Sequence, residues 1–174
     1  LLPQIASADA AWPLVASGCD ALGEVPSSRW PSDERTRPLA VRAPSMQYGG
    51  FLRSAQLFDN GFFSISPAEA AVMDPQQRLL LEHAYTALHG ASQRKPLLMG
   101  ACVGVYIGVW ACEYQSVLST SPTGQSVYAA TAASCSVVVG RVSFVLGMQG
   151  PCVSVDTACS SGLVASHSGL RALQ

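Results

Sequence analysis

Val103, Val105, Ile107 and Val109 alternate strictly with Gly104, Tyr106 and Gly108. A period of two with β-branched residues on one face predicts a strand, and its glycines predict that other backbone comes close. Val153 and Val155 alternate with Ser154 and Asp156, which predicts a second strand over Pro151–Asp156. Three stretches follow a helical period instead. The first begins near Asp74: Asp74 is placed to be the N-cap, Pro75 to be the first helical residue and Gln77 to complete a capping box. Leu80, Ala84, Ala87 and Leu88 then form an inner stripe, and Gly90 sits just past the end. The second runs from about Ser134 to Leu146, despite three consecutive valines, and Gly147 to Gly150 supply its turn. The third starts at Ser160, with Leu163, Leu170 and Leu173 on one face. The order helix, strand, helix, strand, helix predicts an α/β fold with a largely parallel sheet.

Residues 1–57 are rich in Pro, Ser and Arg. They predict a short helix over Ala11–Ser17 and a proline-broken loop over Glu24–Pro38. Phe58–Pro67 is an aromatic turn segment whose phenylalanines are expected to pack. Gly100, Gly104 and Gly108 also have the spacing of glycines in membrane helix dimers. The uncharged run around them, Leu97–Cys112, has 16 residues. About 20 are needed to span a bilayer, so the strand reading is preferred and no membrane span is expected.

The chain has 174 residues, enough for one domain with a core. Hydrophobic residues make up 49% and charged residues only 12%, against about a quarter charged in ordinary soluble domains. Much of the chain is therefore expected to be buried, in its own interior or against a partner or further polypeptide. With 10 basic and 11 acidic residues and no basic block, nothing points to nucleic acid or an anionic membrane surface. The chain begins Leu1-Leu2-Pro3, with no Met and no signal-peptide pattern. The expectation is a cut or incomplete N-terminus and a protein that is not secreted, cytoplasmic or organellar, a plastid included. The six cysteines, Cys19, Cys102, Cys112, Cys135, Cys152 and Cys159, make no C-x-x-C pair and suit no zinc site. Outside special contexts they are expected to be reduced and buried as small hydrophobes. His83 and His89 are six positions apart, which is not ligand spacing, and are read as solvated or capping.

Cys159 has such a special context. It lies between the second strand and the start of the last helix, in Val153-Ser-Val-Asp-Thr-Ala-Cys-Ser-Ser-Gly162. A helix N-terminus offers free N–H groups and a positive dipole end, which favour a thiolate and can hold an oxyanion once an acyl group sits on sulfur. The small neighbours Ala158, Ser160, Ser161 and Gly162 permit a sharp turn and close substrate approach. Asp156 is read as a capping or structural acceptor, because a carboxylate next to a thiol works against the thiolate.

The segment GPCVSVDTACSSG resembles the active-site segment of β-ketoacyl synthases, above all the ketosynthase domains of modular and iterative polyketide synthases. Gly18–Trp30, Phe58–Leu88 with its M-D-P-Q-Q-R run at Met73–Arg78, Val103–Val109 and Val138–Pro151 are similar to the same family, in its order. The resemblance implies a thiolase-like, layered α-β-α-β-α fold, of which residues 1–174 are part of the N-terminal half, without its opening strand and its C-terminal half. It implies that Cys159 takes an acyl chain from the phosphopantetheine thioester of an acyl carrier protein. A malonyl-type extender then loses carbon dioxide and condenses with the acyl-cysteine. It further implies no directly bound cofactor or metal, and a homodimer in the intact protein. Gly162 stands where polyketide ketosynthases usually carry a third serine and fatty-acid-type relatives often have glycine, so the product class is open between polyketide and fatty acid.

The base that would serve this chemistry is not beside the cysteine. His167 is eight residues along the helix, about 12 Å of rise, too far for a hydrogen bond. The resemblance puts two activating histidines and a lysine in a C-terminal half, whereas Gln174 is 15 residues past Cys159 and Lys95 is the only lysine. These residues alone are therefore expected to lack full condensing activity. Two other readings stay open at this point: a thiolase-like acyltransferase that loads Cys159 without condensing, and a non-catalytic dimerisation or carrier-docking module.

Overall fold

The computed structural model describes residues 3, 5, 8–27, 47–52, 54–110 and 113–174, which fall into two compact units, Leu1–Ala55 and Gln56–Gln174. In the first, helix α1 (Ala11–Ala16) matches the short helix expected there. Strands β1 (Gly23–Glu24) and β2 (Tyr48–Gly49) pair antiparallel, Gly23 opposite Gly49. Most of the expected loop, residues 28–38, lies outside the described residues.

The second unit runs α2 (Pro67–Val72), α3 (Pro75–Gly90), α4 (Lys95–Leu98), β3 (Val105–Gly108), α5 (Tyr114–Ser119), α6 (Ala129–Ala132), α7 (Cys135–Leu146), β4 (Cys152–Val155) and α8 (Ser161–Arg171). Strands β3 and β4 are parallel, with Val105 opposite Cys152 and Gly108 opposite Val155. The alternation along β3 separates two layers. Val103, Val105 and Ile107 pack into a core with Phe63, Met73, Leu81, Val142 and Leu146, the layer of α3 and α7. Tyr106 and Gly108 face the other way: Gly169 lies against the Tyr106 ring, and Gly108 lies under the start of α8. On β4, Ser154 donates to the Cys135 carbonyl of α7 at 3.2 Å, so Val153 and Val155 share the α8 side. The result is a short parallel sheet between helices. Among the described residues no helix is long and apolar enough to cross a membrane.

Helix α7 has the predicted limits: Ser134 is its N-cap, and Gly147 closes it at φ +72°, a left-handed conformation that suits glycine. The phenylalanines pack as expected, with Phe63 buried and Phe58 stacked on it at 5.4 Å. Helix α3 departs from expectation in three details. Asp74 caps it by accepting from the Gln76 N–H at 2.8 Å, but Gln77 does not reach back to complete a capping box. Its side chain is buried, donates to the Thr131 carbonyl at 3.0 Å and accepts from Arg141 Nε at 2.7 Å, while Arg141 also pairs with Glu69. A largely buried arginine side chain needs these partners, and that demand outweighs local capping. The inner stripe is centred on Leu81, with Leu80, Ala84, Tyr85 and Leu88 against the core and Ala87 exposed. Gly90 is the last helical residue and Ala91 the cap.

The leucine face of α8 points outward, and one further expectation is corrected. Leu163, Leu170 and Leu173 are exposed, Leu163 by 77% and Leu173 by 87%. Small residues at a spacing of four, Ser161, Ala165 and Gly169, face the sheet instead, which lets α8 sit close to it. The cysteines are not buried hydrophobes. Cys19, Cys102, Cys152 and Cys159 are free and exposed, because they sit after α1, before β3, on β4 and past its end. Cys135 is disulfide-bonded, a pairing that sequence spacing does not reveal, and Cys112 lies outside the described residues.

Candidate active site

Parallel strands β3 and β4 end on the same side, and such C-terminal edges are where open α/β sheets place their chemistry. Strand β4 stops at Val155, and the chain then makes a tight elbow: Asp156, Thr157, a 3-10 turn over Ala158–Ser160, and α8 from Ser161. Cys159 sits at the middle of that turn, exposed, with a free thiol. The expected strand–turn–helix setting is present, with the helix starting one residue later than predicted.

The polar groups on either side of Cys159 are engaged. The Asp156 carboxylate accepts from the Ala158 N–H at 3.0 Å, the structural role expected of it. The Thr157 N–H donates to Ser161 Oγ at 2.8 Å, and the same hydroxyl donates to the Ala158 carbonyl at 2.7 Å. Ser160 Oγ donates to the Thr157 carbonyl at 2.8 Å. The Cys159 N–H has no acceptor among the described residues. Ala158 adopts φ +54° along this path, left-handed for a residue with a Cβ, which costs about 1–2 kcal/mol. The hydrogen bonds on either side of Ala158 hold it there.

Gly108 explains how the helix comes to be so near. A Cβ built on it would lie 2.4 Å from the Ser161 carbonyl carbon and 2.5 Å from the Gly162 nitrogen. Of the strand glycines expected to admit other backbone, Gly108 admits the first turn of α8. Gly162, by contrast, has open space where a Cβ would go.

The other candidates do not join this site. His83 and His89 lie on α3, where His83 and His89 are exposed and the His89 ring is 5.9 Å from that of Tyr85. His167 is exposed on α8. No group of His, Cys, Asp and Glu among the described residues is arranged to hold a metal ion. A cleft of about 420 Å³ opens past the end of β3, lined by Asp74, Pro75, Gln76, Trp110, Glu113, Tyr114 and Val117. Burial pushes the Asp74 carboxyl above its ordinary value of 3.8, against the lowering effects of its bond to Gln76 and of Arg78. The double role of Ser161 and the strain at Ala158 are not foreseen from the sequence. The only signal for either is the density of small residues in the segment.

The family described as Beta-ketoacyl synthase, N-terminal domain, matches residues 1–174. A phenolphthiocerol/phthiocerol polyketide synthase of Mycobacterium tuberculosis is 42% identical over 165 residues, 94% of this chain and 11% of that protein. The pikromycin polyketide synthase component PikAII of Streptomyces venezuelae is 44% identical over 173 residues, 98% of this chain and 5% of that protein. The chain thus spans about a tenth or less of the length of these relatives. Among solved structures, the ketosynthase from module 6 of the bacillaene synthase from Bacillus subtilis 168 superposes with a TM-score of 0.77 at 30% identity, covering 99% of this chain and 27% of that one. The oxazolomycin ketosynthase domain of Streptomyces albus JA3453 gives 0.78 at 29% identity, with 99% and 30% covered.

Proposed function

The chain belongs to the β-ketoacyl synthase family and has its thiolase-like fold, and from that premise we propose that it supplies the nucleophile half of a polyketide ketosynthase. Residues 1–174 are read as part of the N-terminal domain, with Cys159 as the acyl acceptor. The observation that carries this reading is the elbow: an exposed thiol at a strand–helix turn whose own backbone N–H is left without an acceptor among the described residues.

On this reading the family's chemistry falls to Cys159, and the elbow geometry is compatible with it. Cys159 sulfur attacks the thioester carbonyl of an acyl chain carried on the phosphopantetheine of an acyl carrier protein. The oxyanion that forms is held by backbone N–H groups at the elbow, that of Cys159 among them. Collapse expels the carrier thiolate, which takes up a proton, and leaves the acyl group on Cys159. A malonyl-type extender then loses carbon dioxide, and its carbanion attacks the acyl-cysteine carbonyl. A carbon–carbon bond forms, the Cys159–acyl bond breaks, and the product is a β-ketoacyl thioester two carbons longer. Decarboxylation requires donors to the developing enolate, and His83, His89 and His167 stand in no position to provide them; they are assigned to polypeptide outside these residues.

The protein is read as a homodimer. Phe144 is 86% exposed, and Val153, Leu163 and Leu170 are uncovered on β4 and α8. Among the described residues β4 pairs only with β3, which leaves its other edge open. The low charge content fits surfaces that are covered in the assembly. The named relatives are bacterial polyketide synthases, which supports a polyketide product and a cytoplasmic setting over a plastid one.

The test is condensation. The intact protein, given an acyl thioester and malonyl carrier protein, is expected to release carbon dioxide and form a β-ketoacyl product, and the Cys159→Ala variant to form none. Acyl loading without condensation by the intact protein would favour a non-condensing acyltransferase, and neither activity would leave a docking module.

A further inference from the structure

Ser161 makes two hydrogen bonds that do nothing for the helix it begins. A residue at a helix start ordinarily lends its side chain to an N–H one turn ahead. The N-cap of α8, Ser160, makes no such bond, and the Ser161 hydroxyl turns backwards, accepting from the Thr157 N–H at 2.8 Å and donating to the Ala158 carbonyl at 2.7 Å. It thereby clamps the peptides on both sides of the strained Ala158. Ser161 is only 5% exposed, and the chain behind it is pressed against Gly108, whose Cβ position lies 2.6 Å from the Ser161 carbonyl oxygen. Water has little room to replace the hydroxyl, and α8 has none to drift toward the sheet.

We propose that Ser161 is a positioning residue for acyl transfer: its hydroxyl fixes the elbow so that the Cys159 N–H stays unpaired and aimed at the oxyanion formed on the acyl group. The proposal rests on the reading of Cys159 as nucleophile. Ser160 provides the contrast, since its hydroxyl also returns to Thr157, to the carbonyl at 2.8 Å and to Oγ1 at 2.9 Å, but from a more accessible position where water can substitute.

The experiment uses the intact ketosynthase and an acyl N-acetylcysteamine thioester, with acylation followed by rapid quench and mass spectrometry. Ser161→Ala is expected to slow acylation at saturation about 10–100-fold, a fraction of what losing an oxyanion donor outright costs. Its half-saturating thioester concentration should stay within about threefold of wild type, as should alkylation of Cys159 by iodoacetamide, which develops no oxyanion. Ser160→Ala should acylate at nearly the wild-type rate. Acylation of Ser161→Ala at Cys159 within about threefold of wild type, or a parallel loss of alkylation, overturns the proposal. Hydrogen exchange on the wild-type protein tests it independently of any variant: the Thr157 amide should be protected, and the Cys159 amide should gain protection only on acylation. Equal protection of both in the free protein would also overturn it. Acylation of wild type at a residue other than Cys159 would instead refute the nucleophile reading itself.

Discussion

Replacing Gly108 with alanine should unseat α8 from the sheet. The new Cβ would fall 2.4 Å from the Ser161 carbonyl carbon, 2.5 Å from the Gly162 nitrogen and 2.6 Å from the Ser161 oxygen. Carbon contacts are comfortable at about 3.5–4.0 Å, so the helix start must retreat by about 1 Å. All three obstructing atoms are backbone, so no rotamer change can relieve the clash. Overpacking of this kind costs about 1–3 kcal/mol, and a displacement of about 1 Å at a reacting group costs about 10²-fold in rate. Gly162→Ala is the matched control, because a Cβ there meets nothing within 4 Å and alanine is favoured in a helix by up to about 1 kcal/mol. Urea unfolding of the purified ketosynthase, read as a midpoint at constant slope, should place Gly108→Ala below wild type and Gly162→Ala at or above it. Acylation should drop in the first and persist in the second. A Gly108→Ala protein with wild-type midpoint and acylation rate would refute the argument that this glycine sets the seat of the elbow.

Asp74 sets a pH dependence. Burial raises its folded-state carboxyl above 3.8, so the stability it contributes is complete below that pH and is lost as pH rises through the folded value. Asp74→Asn keeps an acceptor for the Gln76 N–H without the buried charge, so its urea midpoint should gain on wild type as pH rises above 3.8; an unchanged difference between about pH 4 and 7 contradicts this. Gln77→Ala strips a partner from Arg141 Nε and from the Thr131 carbonyl, and should destabilise by about 1–3 kcal/mol; a midpoint shift near zero would mean that the network is not what holds α3 to α7.

The parts of this fold that are legible in the sequence are those where local and tertiary demands agree. Gly147 closes α7 because its left-handed cap conformation and the end of the apolar run point the same way. The alternation along β3 is readable because the sheet is covered on both faces, by a leucine- and valine-rich layer on one and by small residues on the other. Legibility fails where a distant partner decides. Gln77 has the sequence position of a capping residue, but Arg141, 64 positions away, claims its side-chain carbonyl. The leucines of α8 share one face, but which face turns inward is decided by close approach to the sheet, which selects Ser161, Ala165 and Gly169 and leaves the leucines outside. At the elbow, the position of Cys159 is legible from the period change and the family resemblance. The Ser161 clamp is not, since a serine near a helix start ordinarily signals a cap.

The central claim, that Cys159 accepts the acyl group, is tested most directly by mapping the covalent intermediate. The intact protein is incubated with an acyl carrier thioester in the absence of extender, quenched in acid and digested, and the peptides are weighed. The account predicts one acyl increment, on the peptide containing Cys159, which disappears when malonyl carrier protein is added and never forms in Cys159→Ala. An increment on Cys19, Cys102 or Cys152 with the Cys159 peptide unmodified would contradict it.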